Sequence, residues 1–195
     1  EYIPKEGLWD HLDSFVDNML SFIREAEEVP NLIHSHYADA GYVGSRLAEF
    51  LGIPLVHTGH SLGRVKRRRL LASGLSSDEI DHRYNMLRRI EAEEMTLTCA
   101  ERVIASTYQE IEEQYELYDC YQPERLRVIP PGTDLELFYP PEGEEWETRI
   151  AKEICRFLRE PNKPIILAIS RADARKNIRA LVEAYGESSR LQELA

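Results

Sequence analysis

Two histidines and a basic cluster follow a short apolar segment in the first half of the chain. Residues 53–56 (IPLV) predict a buried parallel strand, and His57 and His60 come directly after it. Five of the six residues from Arg64 to Arg69 are basic, although the net charge of the whole chain is −11. Open α/β sheets bind ligands beyond the carboxyl ends of their strands. The pattern therefore predicts a site for an anionic small molecule at this edge.

The two histidines have different expected roles. His57 continues the apolar strand, which favours a buried structural side chain. His60 follows the end of the strand, so its imidazole can face the ligand, hydrogen-bond a sugar hydroxyl or polarise a reacting group. Spacing alone leaves a structural role for His60 open.

The basic cluster has two interpretations. A run of this kind is most often the solvated face of a helix, but residues three and four apart share one face. Lys66 with Arg69, or Arg64 with Arg68, could therefore bind one phosphate.

A second basic pair, Arg88 and Arg89, lies on the next predicted helix. Three carboxylates follow it closely, at Glu91, Glu93 and Glu94. We expect these carboxylates to form ion pairs with the arginines rather than to bind a metal.

A pair of histidines also ends the first predicted strand. His34 and His36 are two residues apart, so both imidazoles point to the same face of the strand. They could bind a metal, but no third ligand follows at a useful spacing, and no metal site is predicted. The alternative places one ring in the cleft and the other in a hydrogen-bonded buried position. Asp39, just beyond, is a candidate contact for a ligand hydroxyl.

A candidate diphosphate site lies near the end of the chain. Residues 164–170 (PIILAIS) predict a strand that is apolar on both faces, and a helix is predicted from Asn177. The intervening turn contains Arg171 and Lys176. Free amides at the start of a helix, the helix dipole and these cations would together favour a diphosphate.

The elements that position these residues alternate between strands and helices, and they include a helix of small residues predicted over 40–51 and a single helix predicted to start at Ser76 and to end at about Ala100. This order predicts an α/β fold with a doubly wound, Rossmann-like parallel sheet. We assign residues 1–138 to this domain and expect it to be incomplete at its N-terminus. Residues 139–163 are interpreted as an interdomain connection, and residues 164–195 as the first strand–helix unit of a second Rossmann-like domain.

Composition excludes several classes of protein. The chain is 43% apolar and 30% charged, which is typical of a globular protein, and no apolar run is long enough to cross a membrane. The start of the sequence does not resemble a signal peptide, and the three cysteines are widely spaced, so we expect a cytoplasmic protein without a membrane partner. The acidic balance argues against nucleic-acid binding.

Several segments, in order, resemble one known family. They are HSHYADAGYVG, PLVHTGHSLGRVKRRRLL, RRIEAEE, VIASTYQEI, VIPPGTDLELFYPP and ISRADARKN. Together they resemble the sucrose-phosphate synthases of sucrose biosynthesis, which are retaining glycosyltransferases with two Rossmann-like domains facing each other across a cleft (the GT-B arrangement). The HTGHSLGR segment followed by Lys66 is more similar to this family than to sucrose synthases.

The resemblance implies a reaction and assigns roles to residues. Glucose would pass from UDP-glucose or ADP-glucose to fructose 6-phosphate, giving sucrose 6-phosphate. His60 would lie between donor sugar and acceptor, and Lys66 would bind the acceptor phosphate, with Arg88 or Arg89 assisting. Arg171 and Lys176 would hold the donor diphosphate and stabilise its developing charge. No cofactor is implied, Mg²⁺ being expected at most to stimulate, and a sucrose-phosphate phosphatase could act as a further domain or partner.

Two family features are not found in the chain, and other functions stay open. The Gly-rich loop would lie upstream of Glu1, and the paired glutamates that hold the donor would lie beyond Ala195, so we expect this chain alone to be inactive or very weakly active. The alternatives are a sucrose synthase, a mannosylfructose-phosphate synthase or another related transferase. An alternative of a different class is a noncatalytic sugar-phosphate-binding protein.

Overall fold

The structure, a computed structural model, describes residues 3–140 and 147–195. The chain divides into two compact units, Glu1–Gly132 and Thr133–Ala195. The first unit contains α1 (Leu12–Ala26), β1 (Ile33–His36), α2 (Tyr37–Leu51), β2 (Leu55–Thr58), α3 (Gly63–Ala72), α4 (Ser77–Tyr84), α5 (Met86–Cys99), β3 (Arg102–Ala105), α6 (Tyr108–Glu113) and β4 (Leu126–Val128). Short turns of 3₁₀ helix occur at Lys5–His11, Tyr115–Leu117 and Pro123–Arg125.

The four strands of the first unit form one parallel sheet in the order β1-β2-β3-β4. Helices connect successive strands, which confirms the predicted α/β, Rossmann-like fold. In the register of the sheet, His36 lies beside Thr58, and Ala105 lies beside Val128. All four strands therefore end at the same edge, and the residues that follow them lie around that edge.

The two faces of the sheet have different surroundings. Leu55, His57, Val103 and Leu126 point to one face and are buried. Helices α2 and α5 pack on each other in this unit, and the small residue Gly41 allows their close approach. A Cβ atom at Gly41 would lie 2.7 Å from Oγ1 of Thr96 on α5, which is closer than such atoms approach in proteins. On the opposite face, β1 exposes both His34 and His36.

Two helix boundaries differ from the prediction. Helix α2 begins at Tyr37, three residues before the predicted small-residue helix, with a left-handed φ of 76° at Tyr37. The single helix predicted from about Ser76 to Ala100 is wrong, because Asn85 adopts a φ of 46° and separates α4 from α5. The side-chain amide nitrogen (Nδ2) of Asn85 donates a hydrogen bond to the carbonyl oxygen of Glu6 at 2.7 Å, and this contact with the N-terminal turn accompanies the break. The predicted helix start at Ser76 is confirmed as a capping box with Glu79.

The second unit contains α7 (Arg149–Cys155), a 3₁₀ turn at Ala174–Lys176, α8 (Ile178–Glu187) and α9 (Ser189–Leu194). The strand predicted at 164–170 is not formed, and these residues are irregular and exposed. A parallel strand needs hydrogen-bonding neighbours, and no other strand is described within this unit. The predicted connection, residues 139–163, includes positions 141–146, which lie outside the described residues. The proposed division into domains stays a prediction.

The longest helices of the described part of the chain, α1 and α2, have 15 residues each. Within that part no helix combines the length and the apolar character needed to cross a membrane. Helix α1 instead uses Val16 and Ile23, its buried residues, for packing within the first unit.

The close packing at Gly41 gives the first testable prediction. Gly41→Ala should lower the free energy of unfolding by about 1–3 kcal/mol, because the methyl group overpacks the contact with Thr96. Urea unfolding of the two proteins measures this difference. Gly132→Ala is the matched control, since a Cβ there meets no atom within 4 Å. Equal stabilities of the two variants would contradict the packing account.

Candidate functional site

Three histidines gather where β1 and β2 end. The Nδ1 atom of His36 lies 2.8 Å from the Nε2 atom of His60, and the two ring planes are inclined by 22° with centroids 5.1 Å apart. The ring centroid of His34 is 4.2 Å from that of His36, and the Nε2 atom of His34 is 3.0 Å from Oγ1 of Thr58. All three imidazoles are exposed. This edge therefore presents a row of hydrogen-bonding rings.

The surroundings of His34 disfavour its protonated form. Partial burial lowers the pKa of His34, and the neighbouring imidazoles of His36 and His60 lower it further. Throughout residues 3–140 and 147–195, no group of three or more potential metal-ligating side chains has an arrangement that could hold a metal ion. Because the three imidazoles are exposed and carry hydrogen-bonding nitrogens, they can form hydrogen bonds with polar groups of a ligand.

His57 lies on the opposite face of the sheet and is almost completely buried, as the apolar pattern predicted. Its Nδ1 atom is 2.9 Å from the hydroxyl of Ser35 on the neighbouring strand. Burial lowers the pKa of His57 to about 4, with smaller contributions from His36, His34 and His60. His57 is thus a neutral member of the core, whereas His60 is exposed at the edge.

A buried carboxylate holds the loop that carries His60. Glu93, on α5, accepts hydrogen bonds from the backbone amide of Gly63 at 3.1 and 2.9 Å, from Nε of Arg89 at 2.9 Å, and from the hydroxyl of Tyr118. Arg89 in turn donates to the carbonyl oxygen of Ser61. Both Glu93 and Arg89 are buried. Burial raises the pKa of Glu93, while the Arg89 charge and these hydrogen bonds oppose the rise.

Two tyrosine hydroxyls also bind the backbone of this loop. We call the contacts of residues 59–64 with Arg89, Glu93, Tyr115 and Tyr118 the loop clamp. The amide of Gly59 donates to the hydroxyl of Tyr115 at 3.1 Å, and the amide of Arg64 donates to the hydroxyl of Tyr118 at 3.1 Å. A Cβ at position 63 would lie 2.7 Å from Oε2 of Glu93, so glycine is needed there. The loop therefore has one backbone arrangement, in which His60 has a left-handed φ of 58°.

The first two amides of α3 are used inside the protein. A helix N-terminus attracts anions through its free amides, and here the anion is the Glu93 carboxylate, which binds the amide of Gly63. The next amide, of Arg64, is bound to Tyr118. A phosphate at this edge would therefore be bound by side chains.

Arg64 forms ion pairs with two carboxylates of the protein. Its Nη2 atom donates to Glu94 at 2.5 Å and to Asp119 at 2.6 Å. Of the ion pairs predicted for Arg88 and Arg89 with the carboxylates that follow them, the one between Arg89 and Glu93 is confirmed, whereas Arg88 pairs with Asp10 and Glu94 pairs with Arg64. Arg64 and Arg68 are accordingly not arranged as the phosphate pair that was considered.

The predicted substrate-binding residues lie on several elements. Lys66 is half-buried on α3, with Nζ 4.1 Å from the ring centroid of Tyr84. Arg88 reaches the N-terminal turn, where it donates to Asp10 at 2.6 Å and to the carbonyl oxygen of Trp9 at 2.8 Å.

The other two predicted substrate-binding residues are Arg89 and Asp39. The side chain of Arg89 contacts the His60 loop directly, through the carbonyl oxygen of Ser61. Asp39, at the start of α2, accepts a hydrogen bond from the amide of Ala40 at 2.8 Å and lines a groove of about 410 Å³ beside α1.

Sequence reasoning missed Lys5 and Tyr37. Tyr37 follows His36 directly, and its ring contacts two cations: Nζ of Lys5 is 3.3 Å from the ring centroid and Cζ of Arg89 is 4.6 Å from it. Lys5 therefore adds a positive charge near the buried arginine of the loop clamp. The aromatic residue directly after the histidine pair was the available signal for Tyr37, but nothing near Lys5 indicates its position.

Arg171 and Lys176, the predicted diphosphate ligands, lie in the second unit. Both are exposed, and Lys176 is the last residue of the 3₁₀ turn. The carbonyl oxygen of Arg171 accepts from the amide of Asp173 at 2.8 Å, and the amide of Lys176 donates to the carbonyl oxygen of Asp173 at 2.9 Å. The turn between them is compact, and their role with a diphosphate stays a prediction.

Comparison with known proteins gives consistent matches. Residues 3–137 match the family described as Glycosyltransferase Family 4. A probable sucrose-phosphate synthase from Solanum tuberosum is 41% identical over all of this chain and 23% of its own length, and probable sucrose-phosphate synthase 2 from Arabidopsis thaliana is 40% identical with the same coverage. This chain thus spans less than a quarter of these relatives.

A solved structure also matches. The sucrose-phosphate synthase from Thermosynechococcus elongatus is 30% identical, with a TM-score of 0.68 over 96% of this chain and 42% of that chain. These matches confirm the resemblance that the motifs indicated and support a Rossmann-like half of a GT-B glycosyltransferase for the first unit.

The buried pair of the loop clamp gives the second prediction. Glu93→Gln should lower the free energy of unfolding by about 3 kcal/mol, because it leaves the buried Arg89 charge without its partner. Glu91→Gln, at an exposed position on the same helix, should change it by no more than about 0.5 kcal/mol. Urea unfolding at neutral pH compares the two. The account is wrong if both substitutions have the same small effect.

The buried imidazole gives the third prediction. Between pH 6.5 and about 4 the unfolded chain protonates His57 and the folded chain does not, so the free energy of unfolding falls as the pH is lowered through this range. The contribution of this group reaches about 3 kcal/mol. His57→Gln should remove it, and His82→Gln, at an exposed position, should retain it. Unfolding midpoints measured from pH 4 to 7 test this, and an unchanged pH dependence in His57→Gln would refute it.

Proposed function

The chain belongs to glycosyltransferase family 4, and from that premise we propose that it forms the acceptor side of an enzyme that makes sucrose 6-phosphate. In the proposed reaction, glucose moves from UDP-glucose or ADP-glucose to fructose 6-phosphate with retention at the anomeric carbon. The observation that supports this most strongly is the similarity of the whole chain to sucrose-phosphate synthases, at 40–41% identity in the plant relatives. The exposed position of His60 after the carboxyl end of β2 is compatible with this reaction.

His60 has the central place in this proposal. The loop clamp fixes its backbone, and its exposed ring stands at the carboxyl edge of the sheet, where sugar hydroxyls would lie. An oriented imidazole can hydrogen-bond a hydroxyl of the donor or the acceptor and hold the two together. Proximity and orientation of two reactants contribute a large part of enzymatic rate enhancement.

The acceptor phosphate is assigned to side chains of the first unit. On the resemblance to sucrose-phosphate synthases we assign the phosphate to Lys66, one turn into α3, and the use of the first two amides of this helix by Glu93 and Tyr118 is consistent with a side-chain ligand. Two nitrogens of Arg89 are used by Glu93 and Ser61, so in this proposal its main contribution is to hold the loop. Arg88 and Asp39 remain candidate contacts for the phosphate and for a sugar hydroxyl.

The donor diphosphate is assigned to Arg171 and Lys176. Two cations at a diphosphate can neutralise the charge that develops as the nucleotide leaves, and the proposed reaction accordingly needs no resident metal or cofactor. The full reaction belongs to the whole protein that contains this chain, and a phosphatase acting on sucrose 6-phosphate would be a fitting partner.

Lys66 provides the fourth prediction. Lys66→Ala should weaken binding of fructose 6-phosphate to the chain about tenfold or more, since a hydrogen bond to a charged group contributes about 1.5–3 kcal/mol. Calorimetric titration measures the affinity, and Arg68→Ala, at an exposed position on the same helix, is the matched control. Fructose without phosphate should bind both variants equally.

The assignment fails if Lys66→Ala and Arg68→Ala bind fructose 6-phosphate alike. In the full-length protein, release of UDP or ADP that depends on fructose 6-phosphate would support the proposed enzyme. Binding of the sugar phosphate without nucleotide release would instead support the noncatalytic alternative. Equal activity with unphosphorylated fructose would favour a sucrose synthase.

A further inference from the structure

The contact between His36 and His60 is built by two separate parts of the fold. The register of the sheet places His36 beside Thr58, at the end of the neighbouring strand. The turn after Thr58 then returns the side chain of His60 to His36, with 2.8 Å between Nδ1 of His36 and Nε2 of His60. The rings are inclined by only 22°. The pair is thus a consequence of the sheet together with the loop clamp.

The loop clamp by itself does not orient the imidazole of His60. It fixes the backbone on both sides, through Gly59 and Ser61, and hence the direction of the Cα–Cβ bond. The ring can still rotate about its side-chain torsions, and such a rotation would exchange the nitrogen that faces the ligand. A side-chain partner is needed to choose one orientation, and His36 is in that position.

The ring of His34 also contacts that of His36. The two ring centroids are 4.2 Å apart, and the Nε2 atom of His34 is 3.0 Å from the hydroxyl oxygen of Thr58. His36 is therefore in contact with both His34 and His60, and the contact with His60 is the one made through its Nδ1 atom.

The contact also selects a proton arrangement. A neutral imidazole has one N–H donor and one nitrogen acceptor, so one of the two rings must donate and the other accept. Free histidine prefers the form with the proton on Nε2. If both rings adopt this form, Nε2–H of His60 donates to the bare Nδ1 of His36, and the contact forms without cost to either ring.

We propose that His36 is a positioning residue, which accepts a hydrogen bond from Nε2–H of His60 and thereby presents the bare Nδ1 of His60 to a hydroxyl group of the sugar substrate. The part of this inference that names the sugar rests on the proposed function. The hydrogen bond itself is a property of the chain and can be tested without any substrate.

Two substitutions separate the hydrogen bond from the shape of the ring. His36→Asn places an amide oxygen close to the position of Nδ1 and keeps an acceptor for His60, whereas His36→Phe keeps a flat ring without nitrogen. His34→Phe is the matched control, since it keeps an aromatic ring beside His36 and changes neither nitrogen of the contact between His36 and His60. Because all these positions are exposed, the variants should fold.

The experiment uses the ¹⁵N-labelled 195-residue chain. A scalar coupling across the hydrogen bond between Nε2 of His60 and Nδ1 of His36 is expected in the unmodified chain and in His34→Phe. The proton on Nε2 of His60 should exchange slowly in these proteins and in His36→Asn, and quickly in His36→Phe. Fructose 6-phosphate should bind His36→Phe about fivefold to tenfold more weakly, with His36→Asn within about twofold of the unmodified chain.

The outcomes are distinct. Absence of the coupling, or unchanged Nε2–H exchange in His36→Phe, overturns the inference. Equal binding of fructose 6-phosphate by His36→Phe and the unmodified chain overturns its functional part. If no form of the chain binds fructose 6-phosphate, the proposed function is contradicted, while the coupling and the exchange rates still decide whether His36 orients His60.

Discussion

A buried carboxylate determines the geometry of the candidate site. Glu93 is enclosed by protein and accepts hydrogen bonds from Gly63, Arg89 and Tyr118. A buried charge without partners costs several kcal/mol, so the folded chain must keep these donors in place together. Glu93 binds the amide of Gly63 directly, and its partner Arg89 binds the carbonyl oxygen of Ser61. These two contacts fix the backbone that follows His60. The core of the domain thus determines the position of an exposed side chain.

This arrangement changes the interpretation of the basic segment. Sequence alone suggested that the residues after the second strand bind an anion, and a helix does begin there. The anion at its N-terminus is the protein's own carboxylate, Glu93, and Arg64 pairs with Glu94 and Asp119. In the proposed reaction, the acceptor phosphate would accordingly be bound by side chains further along α3 and on neighbouring elements. Two cations on these elements are Lys66, which lies over Tyr84, and Lys5, which lies over Tyr37 and was not predicted.

Much of the fold could be predicted from local patterns, because burial periodicity and turn residues act over short distances. The alternation of strands and helices and the contrast between buried His57 and exposed His60 both follow from such patterns. The hydroxyl that binds Gly59 comes from Tyr115, 56 residues away, and no local pattern identifies such a partner. The strand predicted at 164–170 is a different failure, since its apolar pattern is suitable but no neighbouring strand is described for it to pair with.

Hydrogen exchange at the amide of Gly63 tests the role of the buried carboxylate most directly. This amide lies at the end of a polar loop, yet it donates to Glu93 beneath the surface. If the loop clamp holds the site, the amide should exchange only when the domain unfolds, with a protection free energy equal to the free energy of unfolding measured in urea. Exchange within about tenfold of the rate of an unstructured amide would show that the loop opens locally, and the account would be wrong.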